Sequence, residues 1–458
     1  MIQTGLERIA KYWPERLKGS RVGLLIHPAS VNGRLQHAID LFVKSRKFEL
    51  RSLFGPQHGI RGETQDNMVE WEGFEDPKTG LPVFSLYGRT RKPNAAMLED
   101  IDVMAIDLQD IGARYYTFIW TMELCMEACE ESKKSLVILD RPNPIGGHII
   151  EGPVLDAAYA SFVGQRPMPV RHGMTIGETA NYLRDAFYPH LDLCVIRMKG
   201  WRRTMWFDET GLPWVMPSPN MPAPDTAAVY PGMCLLEGTN ISEGRGTTRP
   251  FEIFGAPFID PYILVNRLEE LKLPGVIFRP MFFQPAFQKY AGKLCGGAQI
   301  HITNRERFKP FKTGVAIIKV IYDLYSEPSS PENLCGKKGH KKTSRSQIPS
   351  LLGESPPHSA GSPGENEATI KGGDTNSVTS SNNKIIPSPF VGEGKKFAWR
   401  KPPYEYETQK MPIDILAGTD RLRKDIEKGE MLNRMEEWWR EECLEFNRKV
   451  RKRFLFYE

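Results

Sequence analysis

Three glutamates and two arginines fall within one short stretch of the chain. Glu237, Glu243, Arg245, Arg249 and Glu252 alternate there with Gly238, Gly244, Gly246 and a run of threonines. A guanidinium presents paired N–H groups that match a carboxylate. Arg245 and Arg249 are therefore candidates to hold an anionic ligand, with Glu243 and Glu237 orienting them or acting on the ligand. A glycine-rich turn held by Arg–Glu pairs would give the same pattern.

A second set of polar residues is spread over the first half. Gly55-Pro56-Gln57-His58-Gly59 is followed by Arg61, Gly62 and Glu63. Residues 107–116 carry Asp107, Asp110, Arg114, Tyr115 and Tyr116. Asn143 follows Asp140-Arg141-Pro142, His172 and Glu178 lie in 171–178, and Asn220 lies in the proline-rich segment 217–222. His58 can bind hydroxyls or tune a carboxylate, or serve structure. Asp107 and Asp110 can bind hydroxyls or pair with Arg114. The tyrosines can stack on a ligand ring or pack the core. No His, Asp or Glu spacing supports a metal site. The 7 cysteines include no CxxC pair, which points to reduced thiols and a reducing compartment.

These residues need elements to position them. Short apolar runs at 21–26, 48–54, 82–86, 101–106, 135–139 and 193–198, bounded by Gly, Pro or Asp, read as strands. Between them, Ile119, Met122, Met126 and Cys129 mark one helix face. Residues 176–187 form another helix, with Thr175 and Glu178 as a capping box. This alternation predicts an α/β fold with a mostly parallel sheet covered on both faces. Ligands bind beyond the carboxyl ends of such strands, where 27–30, 55–59, 87–88, 107–116 and 140–144 fall. The loop after the first strand lacks GxGxxG, which disfavours a dinucleotide site.

The chain has 458 residues and a formal net charge of +5, too small a surplus to imply nucleic-acid binding. No apolar stretch is long enough to span a membrane. The first residues do not read as a secretory signal, so the expected location is cytoplasmic, or periplasmic or secreted if the start is truncated. The expected organisation is a Rossmann-like N-terminal domain over 1–216 and a smaller α+β C-terminal domain over 217–327 and 391–458. Between its parts, 328–390, rich in Ser, Pro, Gly, Asn and Lys, reads as a disordered insertion.

The blocks at 55–62, 79–88, 107–116, 139–144, 151–153, 171–178, 217–222, 237–252 and 415–423, in this order, resemble the NamZ-type exo-β-N-acetylmuramidases. The resemblance covers nearly the whole chain except 328–390. It implies two domains with a cleft between them, no cofactor, and release of N-acetylmuramic acid from non-reducing ends of peptidoglycan fragments. The partner would be a small sugar or muropeptide. Glycoside hydrolysis usually takes two carboxyl groups, and the family carries a proposed catalytic glutamate where this chain has Gln57. An amide cannot transfer that proton. Three readings stay open: a non-catalytic muropeptide or amino-sugar binder, an enzyme using another carboxylate with Glu63 nearest, or a family in which that glutamate is not the acid. In the second, Gln57 orients the substrate acetamide or a water, and Glu63 is the general acid. Glu178 is a further catalytic candidate, although its capping role is structural. Arg245 and Arg249 would receive the lactyl carboxylate.

Overall fold

The computed structural model describes residues 2–62, 69–326 and 396–458. Glu63 and the insertion at 328–390 lie outside the described residues.

The first strand β1 (Arg21–Ile26) is central. It pairs in parallel with β2 (Glu49–Gly55), and the edge beyond is formed by the short β3 (Phe74–Glu75) and β4 (Pro82–Ser85). On its other side follow β5 (Val103–Asp107), β6 (Ser135–Leu139) and, after the hairpin strands β7 (Glu151–Val154) and β8 (Pro169–Arg171), β9 (Leu193–Ile196). The sheet order is β3-β4-β2-β1-β5-β6-β9, parallel except at β3. This is the doubly wound pattern expected from the apolar runs. Alternate side chains enter opposite cores. Val22, Leu24, Val103, Ala105 and Val137 face one, and Leu25, Met104, Ile106, Leu136 and Ile138 face the other.

The first core is covered by α1 (Gly5–Tyr12) and α2 (Ala38–Val43), while the short α3 (Ala95–Leu98), α4 (Phe118–Glu131) and α5 (Ile176–Phe187) contribute to the second. The capping box at α5 forms as the sequence predicts: Glu178 N–H donates to Thr175 Oγ1 (3.2 Å), and Thr175 N–H donates to Glu178 Oε2 (3.0 Å).

Residues 217–222 form no helix, and α6 (Pro224–Met233) begins after them. A second sheet then pairs β10 (Ile253–Ala256), β12 (Cys295–Ile302) and β11 (Val276–Phe283) in antiparallel order. It packs with α7 (Pro261–Glu270), which in turn packs on α8 (Pro310–Tyr325). The end of the chain adds α9 (Pro412–Ala417), α10 (Arg421–Glu427) and α11 (Leu432–Lys449). Helices α6 and α8 touch backbone to backbone at Gly232 and Gly314, where an added Cβ on Gly232 would run into the Pro310 carbonyl. That close crossing fixes α6, which carries Tyr230 and leads into Glu237.

Arg114 stitches the two halves. Fully buried, it donates through Nη1 to the Pro153 (2.7 Å) and Met168 (2.8 Å) carbonyls and through Nη2 to the Leu416 carbonyl (2.8 Å). Among the described residues, no helix is long and apolar enough to cross a membrane, and no group of three His, Cys, Asp or Glu could hold a metal.

Candidate active site

The carboxyl ends of the parallel strands hold polar side chains as the sequence predicts. Most of them, however, are consumed by the loops they stand in. After β1, His27 Nε2 accepts from Gln109 N–H (2.8 Å), so its Nδ1 carries the proton toward the Pro217 carbonyl (3.2 Å). Burial, reinforced by the Arg141 charge, pushes this imidazole well below its ordinary range and keeps it neutral. Asp107 takes a two-pronged ion pair from Arg141 (2.5 and 2.7 Å). Asp110 accepts from Gly112 N–H (2.7 Å) and stands 3.2 Å from His172 Nε2. Asn143 bridges Met174 and Ile145 backbone groups. Glu178, beyond its capping role, is paired with Arg203 (2.5 Å) and accepts from Phe456 N–H (2.7 Å). Asp140 receives four donors: Gly177 N–H (2.9 Å), Arg141 N–H (3.0 Å), Thr175 Oγ1 (3.0 Å) and Tyr457 Oη (2.5 Å).

The structure therefore does not bring Asp107, Asp110, Arg114, Asn143, His172 or Glu178 to an open cavity. Most of their polar groups satisfy buried backbone and partner charges, although Asp110 Oδ1, Arg114 Nε and His172 Nε2 have no hydrogen-bond partner among the described residues. Arg249 is also elsewhere. It pairs with Glu252 (3.0 Å) and lines a separate cavity with Asp225, His301 and Arg305.

A cleft with a cavity of about 40 Å³, room for a few waters, opens beside the loop after β2. Gln57, His58, Tyr116, Asn220 and Arg245 line it, and so do Thr117, Tyr230, Glu237, Phe251, Tyr404 and Glu405. Gln57 is pinned: Thr117 Oγ1 donates to its Oε1 (2.9 Å), and its Nε2 donates to Tyr87 Oη (3.3 Å). His58, Phe251 and Glu405 hold left-handed backbone conformations, with φ of 71°, 64° and 45°. Such strain in side-chain-bearing residues collects at functional sites.

On the C-terminal side the glycine-rich stretch folds into a charge network. Arg245 pairs with Glu237 (2.8 Å) and Glu243 (2.9 Å), and Lys289 pairs with Glu243 (2.9 Å) while donating to the Leu236 and Ile241 carbonyls. Burial alone would raise the Glu243 carboxyl, but Lys289 and Arg245 hold it well below the usual range. Tyr404 Oη donates to Glu237 Oε2 (2.8 Å). Arg245 Nη1 is thus shared by the two glutamates and sets the position of Glu237 in the cleft, while its Nε has no hydrogen-bond partner among the described residues.

Glu405 lines the cleft with an open oxygen. It is 5% exposed, and its Oε2 has no hydrogen-bond partner among the described residues. Burial, with Glu237 nearby, pushes its carboxyl up to about 7 against the opposing pull of Arg245, Arg91 and Arg400. It sits on a two-residue turn closed by reciprocal hydrogen bonds between Tyr404 and Glu407 (2.9 Å each). Both central residues, Glu405 and Tyr406, have positive φ (45° and 68°). Turns of that kind favour Asn-Gly, so Glu-Tyr gave no turn signal in the sequence. Arg91 covers the Tyr406 ring at 3.6 Å and the Tyr87 ring at 5.0 Å, bracing the turn against the β4 edge.

The family model described as exo-beta-N-acetylmuramidase NamZ, N-terminal, matches residues 22–225, and its C-terminal counterpart matches 228–457. A peptidoglycan beta-N-acetylmuramidase NamZ of Bacillus subtilis (strain 168) is 49% identical over 326 residues, 71% of this chain and 78% of that protein. A crystal structure of a DUF1343 family protein of Bacteroides fragilis is 40% identical with a TM-score of 0.65, over 70% of this chain and 83% of that one. A second such protein of the same organism is 26% identical with a TM-score of 0.64, over 100% of this chain and 99% of that one.

Proposed function

The chain belongs to the exo-beta-N-acetylmuramidase NamZ family, and from that premise we propose that it is a glycosidase releasing N-acetylmuramic acid from the non-reducing ends of peptidoglycan fragments in the cleft beside Gln57. The observation that carries this reading is that two buried carboxyl groups, Glu237 and Glu405, line one cleft beside the loop at the carboxyl end of β2. Glu237, fixed by Arg245 and Tyr404, faces the sugar as a charge that steadies the electron-poor anomeric centre. Gln57 and Asn220 supply amide groups for hydroxyl or acetamide contacts, and Tyr116, Tyr230 and Phe251 supply ring faces.

A second reading rests on Gln57. The amide is held at both ends and cannot move a proton, which favours a sugar-binding protein without turnover. Hydrolysis of 4-nitrophenyl β-N-acetylmuramide separates the two. The glycosidase reading expects steady nitrophenol release, and the N-acetylglucosaminide lacking the lactyl group should be a poorer substrate. Binding of the muramide by calorimetry with no release would overturn the glycosidase reading in favour of the binder.

A further inference from the structure

We propose that Glu405 is the proton donor to the leaving glycosidic oxygen, an inference that rests on the glycosidase reading of the same cleft. Four observations on the molecule carry it. Glu405 lines the cavity and is almost wholly buried. Its Oε2 is without a partner among the described residues, whereas the other buried glutamates near the cleft, Glu237 and Glu243, are engaged by Arg245, Tyr404 and Lys289. It is presented on a turn in which two consecutive side-chain-bearing residues are left-handed, a conformation that costs about 1–2 kcal/mol per residue and needs the surrounding packing to persist. Finally, the charges of Glu237, Glu243, Arg245 and Lys289 balance one another, so compensation for an ionised Glu405 would fall to Arg91 and Arg400.

The groups that face Glu405 are Glu237 and Arg245 from the glycine-rich stretch, Arg91 and Tyr87 from the β4 edge, and Arg400, Tyr404 and Tyr406 from its own segment. Burial and Glu237 favour the protonated carboxyl, and the three arginines oppose this only in part. A carboxylic acid that keeps its proton near neutrality is what a general acid requires.

The step balances. The bond between the anomeric carbon and the glycosidic oxygen breaks with its electron pair on that oxygen, which takes the Glu405 proton and leaves as an alcohol. A water oxygen then bonds to the anomeric carbon, and the ionised Glu405 accepts the proton that water releases. One water is consumed, and Glu405 ends as it began.

The test compares two leaving groups in wild type and Glu405→Gln. A disaccharide with N-acetylglucosamine as leaving group needs the proton, while 4-nitrophenol leaves without much help. The proposal expects Glu405→Gln to lose about 100-fold or more on the disaccharide and less than about 10-fold on the nitrophenyl glycoside. Equal losses on both, or none, would overturn it while leaving the glycosidase reading standing. No turnover by the wild type on either substrate would overturn both. The wild-type pH profile needs no variant. A basic limb near pH 7 on the disaccharide, weaker on the nitrophenyl glycoside, supports the proposal, and the same limb on both contradicts it.

Discussion

Asp140 at the end of β6 and Glu405 in the cleft are both buried carboxyls, and burial pushes both up to about 7. Around Asp140, Gly177, Arg141, Thr175 and Tyr457 occupy the oxygens. Around Glu405 one oxygen has no partner and a cavity lies beside it. A raised carboxyl by itself therefore says nothing about catalysis, because removing water raises it either way. Spare hydrogen-bonding capacity beside a cavity, as at Glu405, separates the acid that can give a proton away from the acid that holds a loop together, as at Asp140. The same contrast runs through the molecule. The carboxyl edge of the large sheet is rich in polar groups that are mostly paired, and its unpartnered atoms, Asp110 Oδ1 and His172 Nε2 among them, do not line the cleft, whereas Glu405 does.

The contrast can be broken from either side. The largest effect is expected at Arg114, on the saturated side. Arg114→Met would strip donors from the Pro153, Met168 and Leu416 carbonyls. Each unsatisfied buried carbonyl costs about 1–3 kcal/mol, so chemical denaturation should report a loss of about 3 kcal/mol or more. A smaller loss would mean that the two halves are not joined there.

Next comes Glu237→Gln, on the open side. It keeps one acceptor oxygen for Arg245, leaves the Tyr404 hydroxyl to turn and accept from the new amide NH2, and removes the charge beside the anomeric centre. Turnover should fall by about 100-fold with the melting temperature little changed. A variant that unfolds would mark Glu237 as structural.

Asp140→Asn should have a milder effect, visible in the pH dependence of stability. Asp140 and Glu151 both sit at about 7 in the folded chain, against about 4 when unfolded. Between these limits the folded chain keeps protons that the unfolded chain has released, so stability falls as pH rises from about 4 to about 7. The fall in melting temperature over that window should be shallower in Asp140→Asn, while turnover stays within a few-fold of wild type. An unchanged slope would put the titration elsewhere.

Gln57→Glu should matter least. Thr117 can still donate to the new carboxylate, and the Tyr87 hydroxyl can turn to donate as well. Activity should change by less than about tenfold, since the proton comes from Glu405. A large gain would make position 57 the missing donor.

Much of the fold was legible because its signals are local. The apolar runs gave the six parallel strands with ends displaced by a residue or two, and Thr175 with Glu178 gave the start of α5. The site was legible only in part. Gln57, His58, Tyr116, Asn220, Glu243 and Arg245 do come to or beside the cleft. Asp107, Asp110, Asn143, His172 and Glu178 looked equally functional, because the residue types that bind sugar hydroxyls are also those that satisfy loop backbones. Glu405 carried no signal. It follows the compositional break, stands in a turn without Asn or Gly, and acquires its character from Glu237, far away along the chain. That information is tertiary.

The most direct measurement is kcat/KM for an N-acetylmuramyl disaccharide as a function of pH, for wild type and Glu405→Gln. The expected result is a wild-type rate that falls as pH rises through about 7, and a variant at least about 100-fold slower in which this limb is gone. A variant that keeps the wild-type rate and the wild-type limb would contradict the assignment of the proton to Glu405.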